Sequence, residues 1–150
     1  MTVAPPIPYA DRPYPLMRVL GYRPVEWREG FARIEMPIDP DVHVNGLGIP
    51  HGGTYATVLD TACAFAGTWR EPPAPRVGAM TLSLNLNFVG LPAGRLLIAE
   101  GRRTGGGAST FFAEGELRDE LGALVATASA VMRYTRPRPT AAGTPPEGAA

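Results

Sequence analysis

Only one stretch of this 150-residue chain, about Thr54 to Trp69, has the marks of a long helix, and almost everything after it has the marks of strand. The stretch holds no proline and is rich in alanine, the residue least costly in a helix. The EPPAP segment, 71–75, stops it, because proline lacks an N–H and clashes with the preceding turn. From Met80 the period changes to two. Met80, Leu82, Leu84, Leu86 and Phe88 alternate with Thr81, Ser83, Asn85 and Asn87. That spacing predicts a long strand with one apolar and one polar face. Leu91-Pro92-Ala93-Gly94 turns the chain, and Arg95–Thr104, Ser109–Arg118 and Ala123–Thr135 follow as three more strands. Gly105-Gly106-Gly107 and Asp119–Gly122 supply their turns. Ahead of the helix, Leu16–Tyr22 predicts one or two helical turns and Gly30–Ile38 a short strand. One long helix followed by hairpin-connected strands is an α+β arrangement. The sheet must cover the helix, since little else is left to form a core.

The length suits one domain. Lys plus Arg equals Asp plus Glu at 14 each, so nothing favours nucleic acid or an anionic membrane as a partner. Cys63 is the single cysteine, which excludes an intrachain disulfide and a multi-cysteine zinc site and fits a reducing compartment. The N-terminus lacks a basic start followed by an apolar run, so it does not resemble a secretory signal. The longest uncharged stretch, Val77–Gly94, alternates like a strand and is no membrane span. A cytoplasmic protein is expected. Prolines crowd both ends, which predicts a flexible arm over 1–15, a folded domain over 16–135 and a disordered tail over 136–150.

The helix has an unusual face. On a wheel with about 100° per residue, Gly53, Ala56, Thr57, Cys63, Ala64 and Gly67 lie within about 60° of Asp60, and all are small. Tyr55, Val58, Ala62, Phe65 and Trp69 lie opposite, as the natural core face. Asp is a poor residue for a helix interior. Asp60 is therefore either a solvated group bonded to Thr57 or to a neighbouring chain, or a carboxylate placed for chemistry where small residues admit a ligand. His51-Gly52-Gly53 stands at the helix start, where N–H groups lack partners and carry partial positive charge. Glycine lets a ligand approach the backbone, and such a site can hold the oxygen of a polarised carbonyl. Asp60 lies roughly two turns further on, at about 5.4 Å per turn. That separation favours a site completed by a second subunit.

The pattern Asn45-x5-His51-Gly52-Gly53-x6-Asp60, with the strand Thr81–Phe88, the Leu91–Gly94 turn and the closing Val125-Ala126 strand, resembles the hot-dog-fold acyl-CoA thioesterases, in particular their phenylacetate-pathway (PaaI-type) branch. The resemblance covers about residues 16–135. It implies an antiparallel sheet wrapped around one long central helix. It also implies hydrolysis of an acyl-CoA thioester to free acid and coenzyme A. Asp60 would be the general base or the nucleophile. The Gly52 N–H would polarise the thioester carbonyl, Asn45 and His51 would orient thioester or water from the facing subunit, and Thr81 would position the water. No metal or redox cofactor is implied. The partners implied are the acyl-CoA and further copies of the chain, as a homodimer that pairs into a dimer of dimers.

Gly53 and Thr57, on the small face, are candidate substrate contacts. Arg102 and Arg103 are either exposed strand-end arginines or contacts to coenzyme A phosphates, whose geometry suits Arg. His43 is expected to be a loop histidine. With His51 and Asp60 it makes a minimal metal-ligand set, which His-Gly-Gly at a helix start argues against. Cys63 is expected to pack rather than react, since nothing nearby would lower its pKa. The triple glycine lacks the P-loop pattern. Two other functions compete: a non-catalytic module that binds acyl-CoA, and a hydratase or dehydratase on the same fold. The intact Asn45, His51 and Asp60 speak against the first, and the place of His51 ahead of the helix against the second.

Overall fold

The computed structural model describes residues 6–72 and 74–135. The elements run α1 (Pro15–Leu20), β1 (Arg23–Arg28), β2 (Phe31–Pro37), α2 (Gly52–Thr68), β3 (Gly78–Phe88), β4 (Leu96–Gly106), β5 (Thr110–Asp119) and β6 (Leu124–Thr135). The strands form one antiparallel sheet in the order β1-β2-β4-β5-β6-β3. Helix α2 packs against every strand of it. This is the hot-dog arrangement, a sheet wrapped around one central helix. Among the described residues no helix is long and apolar enough to cross a membrane.

The sequence pattern predicts one strand before the helix, and the structure has two. Strand β1 carries Pro24 and alternating charge, which hide it. It lies at a sheet edge, where proline is tolerated because its missing N–H faces solvent. Its Trp27 turns inward and donates Nε1–H to the Phe65 carbonyl at the far end of α2, 3.0 Å away. The helix is buried on nearly all sides. The expected core residues Tyr55, Val58, Ala62 and Phe65 are buried, and so are Leu59, Cys63, Ala66 and Gly67. Two of the small residues near Asp60 thus belong to the core, because the sheet curls around them. A Cβ on Gly67 would run into the Phe111 ring, and one on Gly115 would stand 3.1 Å from the Cys63 sulfur. Only Gly53, Ala56, Thr57, Asp60 and Ala64 form a stripe that stays partly open.

Strand β3 breaks the expected alternation. Its pairing with β6 slips between Thr81 and Ser83, leaving Leu82 as a bulge. Leu84 and Leu86 still pack on the core and Phe88 still reaches α2, but Met80 and Leu82 are exposed. Thr81, assigned by alternation to the polar face, pairs with the buried Met132 and faces the helix. Bulges re-aim side chains in this way, often beside functional sites.

Of the segment expected to be a flexible arm, residues 6–14 are described, and they lie along the domain. Tyr9 and Tyr14 meet edge to face at 5.3 Å, and the Tyr14 and Tyr22 hydroxyls are 2.8 Å apart. The expected C-terminal tail, 136–150, lies outside the described residues. At the opposite end of the sheet, Asp119 is a buried hub. Its carboxylate accepts the N–H groups of Ala93, Gly94, Leu121 and Ala123 at 2.7–3.0 Å, tying the β3–β4 loop to the β5–β6 turn. Those donors, Gly94 first, hold its pKa below the usual carboxylate range.

Two outcomes follow from this packing. A Cβ on Gly101 would overlap the Ala62 carbonyl oxygen and stand 2.8 Å from the Cys63 nitrogen. Backbone cannot yield as a side chain can, so Gly101→Ala should cost about 3 kcal/mol or more in chemical denaturation. Asp119→Asn should lower the melting temperature at neutral pH. Because the folded carboxyl titrates below its unfolded value of about 3.9, its contribution is complete above that value and fades as pH falls through the folded pKa. The gap between wild type and variant should therefore narrow below about pH 4 in melts taken across pH.

Candidate active site

The loop before α2 is built to deliver a glycine to the helix start. His43 is buried with both ring nitrogens engaged. Its Nδ1 accepts the Asp39 N–H at 2.8 Å, which leaves Nε2–H to donate to the Leu20 carbonyl at 2.9 Å. Its carbonyl takes the His51 N–H at 2.7 Å. His43 is thus the loop histidine expected, a pin between α1 and the loop. Asn45 folds the next turn on itself, its Oδ1 accepting the Leu47 N–H at 2.9 Å. His51 caps α2: its Nδ1 accepts the Gly53 N–H, and its carbonyl the Thr54 N–H, both at 2.9 Å. The Gly52 N–H between them has no partner among the described residues. The Phe88 ring comes within 3.2 Å of where a Gly52 Cβ would stand, so a side chain there needs that exposed ring to shift.

Asp60 lies elsewhere, in the wall of a cleft of about 680 Å³. Thr81 reaches across from the bulge of β3 and donates its hydroxyl to Asp60 Oδ1 at 2.7 Å. Thr57 does not bond Asp60; its hydroxyl donates to the Gly53 carbonyl at 2.9 Å. The cleft continues along α2 past Thr61 and Ala64 to Phe65 and Thr68, beneath Trp27 and Ala79. Asp60, Thr61 and Thr81 stand at one end of it, Phe65, Trp27, Tyr9 and Tyr14 follow, and Thr68, Arg76 and Thr135 line the part beyond. Cys63 faces the core instead. Burial, aided by the charges of Asp60 and Glu114, pushes its thiol up to about 12, so it is no nucleophile at neutral pH.

Within one chain the structure brings Asp60 and Thr81 together. It does not bring Asn45, His51, Gly52 or Gly53 to them. Eight residues at 1.5 Å put Gly52 about 12 Å from Asp60 along the helix axis. Arg102 and Arg103 part company, as successive strand residues do. Arg102 lies on the outer sheet face, bonded to Glu100 at 2.9 Å and over the Phe31 ring. Arg103 lines a smaller hollow at the C-terminal end of α2, with Glu29, Arg70 and Glu71. Sequence reasoning missed Tyr9, Tyr14 and Trp27 as cleft residues. Their aromatic character was the available signal, but the proline-rich surroundings of the tyrosines pointed to an unpacked arm.

The model of the thioesterase superfamily matches residues 47–126, just over half of the chain, spanning the helix start, Asp60 and Thr81. The chain belongs to the thioesterase superfamily. The fold agrees with solved relatives. The PaaI protein from the phenylacetic acid degradation operon of E. coli has a TM-score of 0.74 at 20% identity, over 84% of this chain and 88% of that one. A thioesterase family protein from Silicibacter pomeroyi has a TM-score of 0.70 at 24% identity, over 84% and 91%. A Bacillus halodurans protein solved with CoA has a TM-score of 0.62 at 28% identity, over 69% and 66%.

The grip of Thr81 on Asp60 has a measurable worth. Thr81→Val removes the donor from a partly buried carboxylate and should cost about 1 kcal/mol in denaturant melts. Thr81→Ser keeps the hydroxyl and should recover most of it.

Proposed function

We propose that this protein hydrolyses acyl-CoA thioesters, with Asp60 as the catalytic carboxylate, at sites shared between two copies of the chain. The observation that carries this reading is Asp60 itself: a mid-helix carboxylate, held at 2.7 Å by Thr81, in the wall of a cleft large enough for an acyl group. A carboxylate placed beside a hydrolysable carbonyl has two uses. It takes a proton from water as the water oxygen bonds to the carbonyl carbon, or it attacks that carbon to give an anhydride that water then opens. In both, the carbon–sulfur bond breaks and coenzyme A leaves as the thiol. Negative charge builds on the carbonyl oxygen meanwhile, and the unpartnered Gly52 N–H at the helix start is the kind of donor that stabilises it.

Because Gly52 and Asp60 stand too far apart in one chain, the reading needs a second. Two features supply a surface for it. Among the described residues strand β3 is an unpaired sheet edge with exposed Met80 and Leu82, a liability that a partner strand removes. The open stripe of small residues on α2 lets another backbone come close. The partner's helix start, with its Asn45 and His51, would then face Asp60, and Gly53 and Thr57 would flank the substrate. A homodimer, pairing further into a dimer of dimers, fits this plan. Arg102 and Arg103 lie on opposite faces of β4, so at most one of them meets the phosphates of a given coenzyme A. A Bacillus halodurans relative solved with CoA supports the substrate class.

The test is coenzyme A release from a panel of acyl-CoA thioesters. Asp60→Asn should lose about a hundredfold or more in kcat, the usual worth of an acid–base group. Co-expressed Asp60→Asn and Gly52→Pro chains, the second lacking the N–H at a helix position that accepts proline, should regain about a quarter of wild-type activity, since half the dimers are mixed and each holds one intact site. No cleavage by wild type, with acyl-CoA still bound, would make the protein a binding module. A fully active monomer in light scattering would remove the shared site.

A further inference from the structure

The cleft beside Asp60 has a wall that the superfamily match, residues 47–126, does not include. Pro8, Tyr9 and Tyr14, from the segment ahead of α1, line the same cleft as Asp60 and Thr81. The segment is held there by aromatic contacts. The Tyr9 ring meets Tyr14 edge to face at 5.3 Å and Phe65 of α2 at 6.3 Å. Tyr14 is anchored in turn by its hydroxyl bond to the buried Tyr22, 2.8 Å long. Arg18 Nη1 donates to the Pro13 carbonyl at 3.0 Å and fixes the approach to α1.

Tyr9 itself is unusual. Its φ of 64° lies in the left-handed region, where it is the only non-glycine among the described residues. A bulky side chain rarely adopts that conformation, and it persists only where the surroundings impose it. Here it accompanies a ring that is still 52% exposed. Core burial therefore does not explain it; the turn closed by the Ala10 N–H on the Ile7 carbonyl does, with Pro8 and Tyr9 at its centre and a positive φ required at its second central residue, and that turn sets the Tyr9 ring at the cleft wall.

The direction of the cleft gives the ring a role. Asp60, Thr61, Ala64, Phe65 and Thr68 follow one another along one side of α2. At 1.5 Å per residue, Phe65 stands about 7.5 Å beyond Asp60 along the axis. An acyl group whose thioester carbon lies at Asp60 and that follows this stripe would pass between Trp27, Phe65, Tyr14 and Tyr9, with Thr68, Arg76 and Thr135 lining the cleft further on. We propose that Tyr9 is a specificity-determining residue, whose ring closes in on the acyl cleft beside Phe65 and so limits the length of the acyl group. This rests on the thioesterase reading. It adds that the segment ahead of the matched domain, rather than the helix and sheet alone, decides which thioesters fit.

The experiment compares wild type with Tyr9→Gly and Tyr9→Phe on acetyl-, butyryl-, hexanoyl-, octanoyl-, decanoyl- and 3-phenylpropionyl-CoA. Glycine suits the left-handed backbone, so Tyr9→Gly removes the ring without adding strain, and a thermal melt checks that the fold holds. Loss of the ring should raise kcat/KM for the longest chains relative to the shortest by about tenfold, the scale of a hydrophobic pocket contact. Tyr9→Phe should restore the wild-type order. An unchanged order in Tyr9→Gly, with wild type still active, overturns the proposal and leaves the thioesterase reading standing. Should wild type cleave none of the panel, that reading falls, and calorimetry with decanoate and 3-phenylpropionate decides on Tyr9. A ratio of affinities that shifts towards decanoate in Tyr9→Gly supports the closing ring; an unshifted ratio, or no binding, overturns it.

Discussion

Everything in this molecule depends on how closely the sheet approaches its central helix. Strand β4 touches α2 backbone to backbone at Gly101, and β5 comes in at Gly115 against Leu59 and Cys63. At the other end Gly67 lets the Phe111 ring lie against the helix. Side chains at these points would hold the layers apart. Without them the sheet curls round α2 and buries Leu59, Ala62, Cys63 and Ala66. A helix buried on nearly every side leaves one stripe free, and Asp60 stands on it.

The same curvature explains why Asp60 has company. A sheet that wraps must end somewhere, and β3 is the edge that reaches the open side of the helix. Its bulge at Leu82 turns Thr81 inward, so that a hydroxyl meets the carboxylate. A regular strand would have put Thr81 on the outer face. At the opposite sheet edge, β1 sends Trp27 under the sheet to Phe65. The cleft is therefore bounded by the two edges of one sheet, the helix between them, and the segment that precedes α1. Meanwhile the loop pinned by His43 and folded on Asn45 presents Gly52 at the far end of the same helix. One helix thus carries a carboxylate along its side and a free N–H at its start, too far apart to serve one small group in a single chain. That spacing is the physical ground for a shared site.

Much of this was legible in the residues. The change of period from Met80, the proline stop and the glycine turns marked the helix and four later strands within a residue or two of their bounds. Asp60 stood out because Asp is costly in a helix interior, and His51-Gly52-Gly53 because a helix start leaves N–H groups unpaired. Strand β1 was not legible, since Pro24 and its charged neighbours deny it the alternation by which strands are found. The bulge in β3 was not legible either. A slip of one residue is set by pairing with β6, and nothing in the alternating pattern itself marks where it falls.

The sequence by itself determined the local choices: which segment is helical, where it starts and stops, and which chemical groups it carries. Those follow from propensity, periodicity and backbone chemistry, all acting over a few residues. The tertiary structure alone decided which of those groups meet. Thr81 reaches Asp60 across 21 positions, Trp27 reaches Phe65 across 38, and Tyr9 reaches Phe65 from a segment that composition marks as unpacked. Such meetings depend on sheet curvature, register and close backbone approach. These are properties of the packed layers, and no short stretch of the chain contains them.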